Sequence, residues 1–202
     1  MNPADTHPSQ PVLRHICVGT AQRMAASGRT VLSGIGKRAV AGPVGVGALG
    51  LAGDEQVDLS VHGGLHKAVY AYPAEHMAFW QAERRARGVS LFDESLPPGF
   101  VGENLSIEGL LERDVWVGDT LHFAHCVLRV TAPREPCFKF AAVMGFAQAG
   151  KLMVQHACCG FYLAVDQPGT LTAGEPFTLR PGPRALSIAD AIHAKWAKHR
   201  RD

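Results

Sequence analysis

Between Gly28 and Gly53 a glycine stands every few residues, at positions 28, 34, 36, 42, 45, 47, 50 and 53. Each glycine inside a helix costs about 1 kcal/mol relative to alanine, so no stable helix crosses this stretch. The segments between the glycines, such as Thr30 to Leu32 and Val44 to Val46, carry β-branched side chains. They read as short strands joined by tight turns.

The remainder of the chain extends this pattern. Val12 to Val18 is a first strand in which apolar positions mix with Arg14 and His15. Ala68 to Tyr72 is another, after which Pro73 opens a helix that runs to about Arg87 and ends at Gly88. Met77, Trp80 and Arg84 lie on one stripe of it. Beyond the Pro97-Pro98-Gly99 turn come Phe100 to Ile107 and Glu112 to Val117. Thr120 to Thr131 holds neither glycine nor proline and is long enough for one curved barrel strand. Phe138 to about His156 is a second helix, weakened by Gly145 and Gly150. Gly160 to Val165 and Pro176 to Leu179 are late strands around the Gln167-Pro168-Gly169 turn. Ser187, with Asp190 three residues on, caps a last helix whose basic end suits a helix C-terminus. Many short strands with about three helices, not regularly interleaved, predict a mostly-β, barrel-like domain rather than a doubly wound sheet. The expected divisions are an N-terminal arm and first strand over 1–27, the β domain over 28–182 and a C-terminal helix over 183–202.

At 202 residues one domain is the default, since domains usually run to ~100–200 residues. A formal charge of +2 gives no broad positive field, so nucleic acid is not a favoured partner and any anion site is local. No apolar run approaches the ~20 residues that cross a bilayer, and Met1 to Pro11 is polar rather than a signal sequence. A cytoplasmic protein without a membrane partner is expected. The five cysteines, at 17, 126, 137, 158 and 159, include no Cys-x-x-Cys pair and fit neither a disulfide framework nor a structural zinc site. They read as reduced thiols, most of them small buried hydrophobes.

Two familiar spellings fail on context. Gly45-Val46-Gly47-Ala48-Leu49-Gly50 has the spacing of a dinucleotide loop, but Pro43 interrupts the preceding strand and Leu51-Ala52-Gly53-Asp54 cannot start the required helix. Gly34-Ile35-Gly36-Lys37-Arg38 is half a P-loop, with Val31 where the first glycine belongs and Arg38 where the magnesium-binding hydroxyl belongs. His62 and His66 have zinc-helix spacing, yet Gly63-Gly64 between them disfavours the helix.

One constellation survives. In Thr131-Ala132-Pro133-Arg134-Glu135-Pro136-Cys137-Phe138-Lys139 two prolines stiffen the exit from a strand, and Cys137 lands just before a helix. Arg134, Lys139 and the helix dipole all favour a thiolate, the form that ligates metals and attacks electrophiles. The alternative is a packed core cysteine beside Phe138. Val61-His62-Gly63-Gly64-Leu65-His66-Lys67 offers backbone amides and side-chain donors to an anion, and is equally readable as a polar hairpin turn. In Gly102-Glu103-Asn104-Leu105, Asn104 either satisfies loop backbone or contacts a ligand, and Glu103 can pair with a nearby base.

Read together, these segments resemble the MOSC family, the molybdenum cofactor sulfurase C-terminal domain, in its small YiiM-like branch. The resemblance is carried by Ser33-Gly34-Ile35-Gly36-Lys37, Gly42-Pro43-Val44, Leu49 to Gln56, His62-Gly63-Gly64 and Lys67 to Pro73. It continues through Gly102-Glu103-Asn104-Leu105 and Pro133-Arg134-Glu135-Pro136-Cys137 to Gly160-Phe161-Tyr162, in family order.

The resemblance implies a β-barrel related to the pyruvate-kinase barrel domain, with a pocket for the molybdenum cofactor. It makes Cys137 the catalytic residue and the molybdenum or sulfur ligand, a role that suits a soft thiolate. Lys37, His62, Lys67, Asn104 and Arg134 become the cofactor-binding set through charge-assisted bonds, and Glu103, His66 and Lys139 the substrate-binding set. The implied activity is a molybdenum-dependent oxidoreductase that reduces N-hydroxylated compounds of the hydroxylaminopurine or amidoxime type. Its expected partners are a small-molecule substrate, an external electron-transfer protein and, as a homodimer, a second copy. The alternative is a sulfur carrier that receives a Cys137 persulfide from a cysteine desulfurase; a bare module for a small anion is the third reading. Pyridoxal phosphate is not expected, because it belongs to a separate domain of larger relatives. This chain departs from the family pattern in having His66 where relatives carry Asp, Ala157-Cys158 in place of Gly-Arg, and Ala164 in place of another arginine. Those losses weaken phosphate binding at that edge. Cys158 and Cys159 read as buried thiols, since a vicinal disulfide is strained.

Overall fold

A computed structural model describes residues 10–57, 63–90, 92 and 94–199. The His62 expectation therefore lies outside the described residues. Strand β1 spans Val12–Val18 as its apolar pattern requires. Strand β2 (Gln22–Ala26) precedes the glycine-rich stretch, which becomes four short strands, β3 (Arg29–Ser33), β4 (Arg38–Val40), β5 (Val44–Gly47) and β6 (Gly50–Leu51). Then follow β7 (Val69–Pro73), helix α1 (His76–Ala86), β8 (Leu105–Glu108), β9 (Thr120–His122) and β10 (Val127–Pro133). The chain continues through α2 (Phe138–Met144), α3 (Ala149–Gln155), β11 (Phe161–Gln167), β12 (Gly169–Leu171), β13 (Thr178–Arg180) and α4 (Ile188–His199).

Eight strands form one mixed sheet in the order β13-β9-β10-β11-β7-β8-β1-β4, with β7 and β8 parallel and the other pairs antiparallel. The sheet curls so far that the start of β1 bonds to the segment just ahead of β13: Leu13 N–H donates to Glu175 O, and Gly174 N–H to Leu13 O. The architecture is thus mostly β, one large curled mixed sheet with four helices. Strands β12, β5 and β6 form a small second sheet, and β2 and β3 a separate hairpin.

The hairpin turn is Ser27-Gly28, with both φ angles positive, at 51° and 73°. That is the two-residue turn whose twist matches paired strands. Met77 and Trp80 of α1 face the core, and Trp80 is fully buried. Its indole N–H donates to the Tyr72 hydroxyl at 2.6 Å, and that hydroxyl donates to Cys158 O at 3.1 Å. The buried donors are thereby satisfied in series. Ser187 caps α4 as expected, accepting from Asp190 N–H at 3.0 Å.

Several elements depart from the sequence reading. The second helix divides at Gly145 (φ 79°), where a side chain would press on Val89, so the described residues form four α-helices rather than three. Thr120 to Thr131 is a hairpin, not one long strand: Phe123 N–H bonds to Cys126 O and the chain reverses without glycine or proline. Leu105–Glu108 alone remains of the Phe100 to Ile107 strand, because residues 99–103 fold around Glu103. Glu112–Asp114 is a single 3-10 turn, not the start of a strand. Pro73 ends β7 instead of opening α1. The β11 ladder stops at Ala71, so on that side its missing N–H interrupts no ladder bond.

Two glycines separate backbone cost from crowding. At Gly28 a Cβ meets nothing within 4 Å, whereas at Gly160 (φ 64°) it would lie 2.4 Å from Ala71 O. Gly28→Ala is expected to cost about 1–2 kcal/mol of unfolding free energy from the left-handed conformation alone. Gly160→Ala adds overpacking, for a total of about 2–5 kcal/mol. Urea titrations of both variants check the ordering.

Candidate active site

The segments singled out in the sequence converge on one pocket of about 100 Å³, open to solvent. Its walls come from the β3–β4 loop (Ser33 to Lys37), residues 54–57 after β6, Lys67, Tyr70 of β7, the loop before β8, and the β10–α2 connection with Tyr162 of β11. Lys37, Lys67, Asn104, Arg134, Cys137 and Lys139 all line it.

Arg134 is 4% exposed, and its guanidinium has three kinds of neighbour. One amino group donates to Cys137 Sγ at 3.8 Å, another to Met153 Sδ at 3.6 Å. The Cζ atom lies 4.7 Å from the Phe140 ring centroid and 5.6 Å from that of Tyr70. No carboxylate forms an ion pair with it among the described residues. A buried cation faced by sulfur, aromatic rings and the Tyr162 hydroxyl, with no carboxylate paired to it among the described residues, leaves the pocket attractive to an anion. Lys67 adds to this, with Nζ 5.4 Å from the Tyr162 ring centroid. Burial pushes the Tyr162 hydroxyl up to about 12, against the pull of Arg134, so it keeps its proton at neutral pH.

Cys137 is half-buried on the pocket wall, and the other four cysteines are buried and free. Burial raises the thiols of Cys17 and Cys126 to about 12 and those of Cys158 and Cys159 further. Cys158 and Cys159 are thus buried thiols, as expected. Cys137 is the residue whose sulfur meets both a pocket and a cation.

Other candidates turn inward. Lys37 is ion-paired with Asp54, both nearly buried, with side chains 8% and 4% exposed. Asp54 also accepts Gly19 N–H at 2.9 Å and the Asn104 amide at 2.8 Å. Asn104 further donates to Cys17 O and accepts Tyr70 N–H, so of its two sequence readings the loop-satisfying one describes its contacts. Glu103 is fully buried beneath the pocket and does not line it; it accepts the amides of Gly99 at 2.6 Å and Val101 at 3.2 Å. His66 is exposed and outside the lining, in contact through its carbonyl with the Thr131 hydroxyl. Of the paired glycines, Gly64 gives its N–H to Gln56 Oε1 at 2.9 Å rather than to the pocket.

Asp54, Gln56, Tyr70 and Tyr162 were not singled out as site residues by the sequence reading. Asp54 and Gln56 had a signal, a carboxylate and an amide at the end of a glycine-rich loop. The tyrosines had none, because only strand pairing brings Tyr70 opposite Tyr162.

The match with known proteins is extensive. Residues 58–178 fit the family model described as MOSC domain. The chain belongs to the MOSC family. It is 34% identical over 164 residues to protein YiiM of Escherichia coli, which spans 81% of this chain and 71% of that protein. The crystal structure of YiiM from Geobacillus stearothermophilus superposes with a TM-score of 0.73 at 32% identity, covering 95% of this chain and 86% of that one. A protein of Gibberella moniliformis named Reductase is 31% identical over 193 residues, covering 93% of this chain but 33% of its own length. The MOSC and YiiM-like assignment made from the ordered motifs is therefore correct.

Two tests follow from the pocket floor. Asp54→Ala leaves the Lys37 ammonium buried without its partner and should cost about 3–5 kcal/mol; Lys37→Met/Asp54→Leu should recover only the Lys37 share, because the Gly19 N–H and the Asn104 amide still lose their acceptor, and denaturant titration of both variants beside wild type reads the two effects. Burial pushes the Glu103 carboxyl up to about 7, with the Gly99 and Val101 amides and Lys37 opposing. A carboxyl raised in the folded state binds a proton that the unfolded chain has released, so stability falls as pH rises from about 4.5 to 7. At ~1.4 kcal/mol per unit the fall is roughly 3 kcal/mol, and it should vanish in Glu103→Gln.

Proposed function

We propose that this MOSC protein is a molybdenum-cofactor-dependent reductase of N-hydroxylated compounds, with Cys137 as the ligand to the metal. The observation that carries the reading is the half-buried Cys137 sulfur, 3.8 Å from the buried Arg134 guanidinium on the wall of a cation-rich pocket. The fungal relative named Reductase is consistent with the reaction class.

The residues present fit such a cofactor. A thiolate is the soft donor that molybdenum accepts, and Arg134, Lys67 and Lys139 are the cations to hold an anionic phosphate. Lys37 is spent on Asp54, so the cationic work falls to the other three. Among the described residues no cluster of three His, Cys, Asp or Glu could hold a bare metal ion, which leaves Cys137 to complete a metal brought by its own cofactor. When bound, the cofactor supplies the electrons that break the substrate N–O bond. The tilted rings of Tyr70 and Tyr162, 5.5 Å apart, wall off water and orient a flat substrate. Lys67 and the Tyr162 hydroxyl present hydrogen-bond donors at the pocket, and reduction of N–OH to N–H with release of water consumes two protons drawn from solvent.

The test is metal analysis of protein purified from a cofactor-producing host, beside turnover of an amidoxime with a chemical electron donor. Wild type should carry molybdenum and reduce the amidoxime, and Cys137→Ser should lose both by roughly 10–100-fold. A molybdenum-free preparation with full activity would overturn the proposal.

A further inference from the structure

The reduction just proposed needs electrons, and the described part of the chain has no place to store them. Its four cysteines other than Cys137 are buried and unpaired. A donor must therefore come to the mouth of the Cys137 pocket, and one surface leads there. The β2–β3 hairpin and helix α2 face each other across a groove lined by small or apolar groups, among them Ala25, Gly28, Ala141, Ala142, Phe138 and Phe146. Phe138 is 41% exposed and directly follows Cys137 in the chain. Lys139 ties the pocket to the hairpin: it lines the Cys137 pocket, and its ammonium donates to Leu32 O of the hairpin at 2.9 Å. The groove and the pocket are thus adjacent, Phe138 of the one standing between Cys137 and Lys139 of the other in the chain.

Among the described residues the unpaired charge on the rim is positive. The Arg29 guanidinium stands 5.3 Å from the Phe138 ring centroid, and that of Arg87 stands 4.5 Å from Phe146. Glu83 pairs with Arg87, whereas among the described residues no ion pair neutralises Arg29 or Lys139. An exposed ring, Phe138, and a half-buried one, Phe146, each beside an arginine, have the composition of interface hot spots. A cationic rim selects an acidic partner and speeds its encounter.

We infer that this groove docks an acidic electron-carrier protein, which delivers its electrons beside Cys137. The inference rests on the reductase reading. Two equivalents of a one-electron carrier are oxidised, the N–O bond breaks as the substrate takes up the two electrons and two protons from the solution, and the oxygen leaves as one water molecule.

The experiment compares two donors for amidoxime reduction by the cofactor-loaded protein: a reduced acidic [2Fe–2S] ferredoxin and the small cation methyl viologen. Arg29→Glu is expected to lower the ferredoxin-driven rate about tenfold at low salt and to leave the viologen-driven rate unchanged. Ala25→Glu, on the exposed hairpin wall, should give the same split. The wild-type ferredoxin rate should fall as salt rises. Equal ferredoxin rates in wild type and both variants would overturn the inference. Should viologen drive no reduction in wild type, the reductase reading fails. Calorimetric titration with ferredoxin then decides the groove by itself: binding lost in Arg29→Glu supports it, and binding unchanged or absent overturns it. A wild-type dimer in sedimentation that Arg29→Glu dissociates would give the groove to a second copy, and would also overturn it.

Discussion

The pocket depends on one buried carboxylate. Asp54 holds the Lys37 ammonium, the Gly19 amide and the Asn104 side chain, and so ties the β1–β2 loop, the β3–β4 loop and the entry to β8 to a single point. Asn104 carries the same tie to Cys17 and Tyr70. Loops so rich in glycine have much backbone entropy to lose, and a charge-assisted network in a low-dielectric floor is strong enough to fix them. The cost is that Lys37 and Asn104 serve the protein rather than a ligand. What remains facing the opening is Arg134, Lys67, Lys139 and the Cys137 sulfur.

That division of labour explains how the pocket can be both rigid and reactive. Arg134 reaches its place because the strand β10 ends in Pro133 and the chain leaves it extended through Pro136 to Cys137, whose φ of −138° is fully extended. The Phe140 and Tyr70 rings both lie beside the guanidinium, so its position is set by packing as much as by hydrogen bonds. From the far side Lys195 of α4 pairs with Glu135 in the same loop. The C-terminal helix thereby braces the segment that presents the thiol.

Much of this was legible in the sequence, and the exceptions have physical causes. Strand β1, the short strands between glycines, the Ser187 cap and the Cys137 loop are local features, written in neighbouring residues. The hairpin at Phe123 to Cys126 was not, since its turn uses residues with no turn signature and is held by one backbone bond. Gly145 was seen as a weak point but read as a weakened helix, because the Val89 contact that makes glycine necessary there comes from a distant segment. The site divides likewise. Cationic character and a lone thiol are visible in composition, whereas the fate of Lys37 and Glu103 is set by burial and by partners 17 residues away or folded beneath a loop.

The role given to Cys137 is tested most directly by X-ray absorption at the molybdenum edge of wild type and Cys137→Ser, each purified from a cofactor-producing host. In the molybdenum that the variant retains, one sulfur scatterer fewer in the first coordination sphere than in wild type is the predicted result. Identical spectra, with metal retained in both, would contradict it.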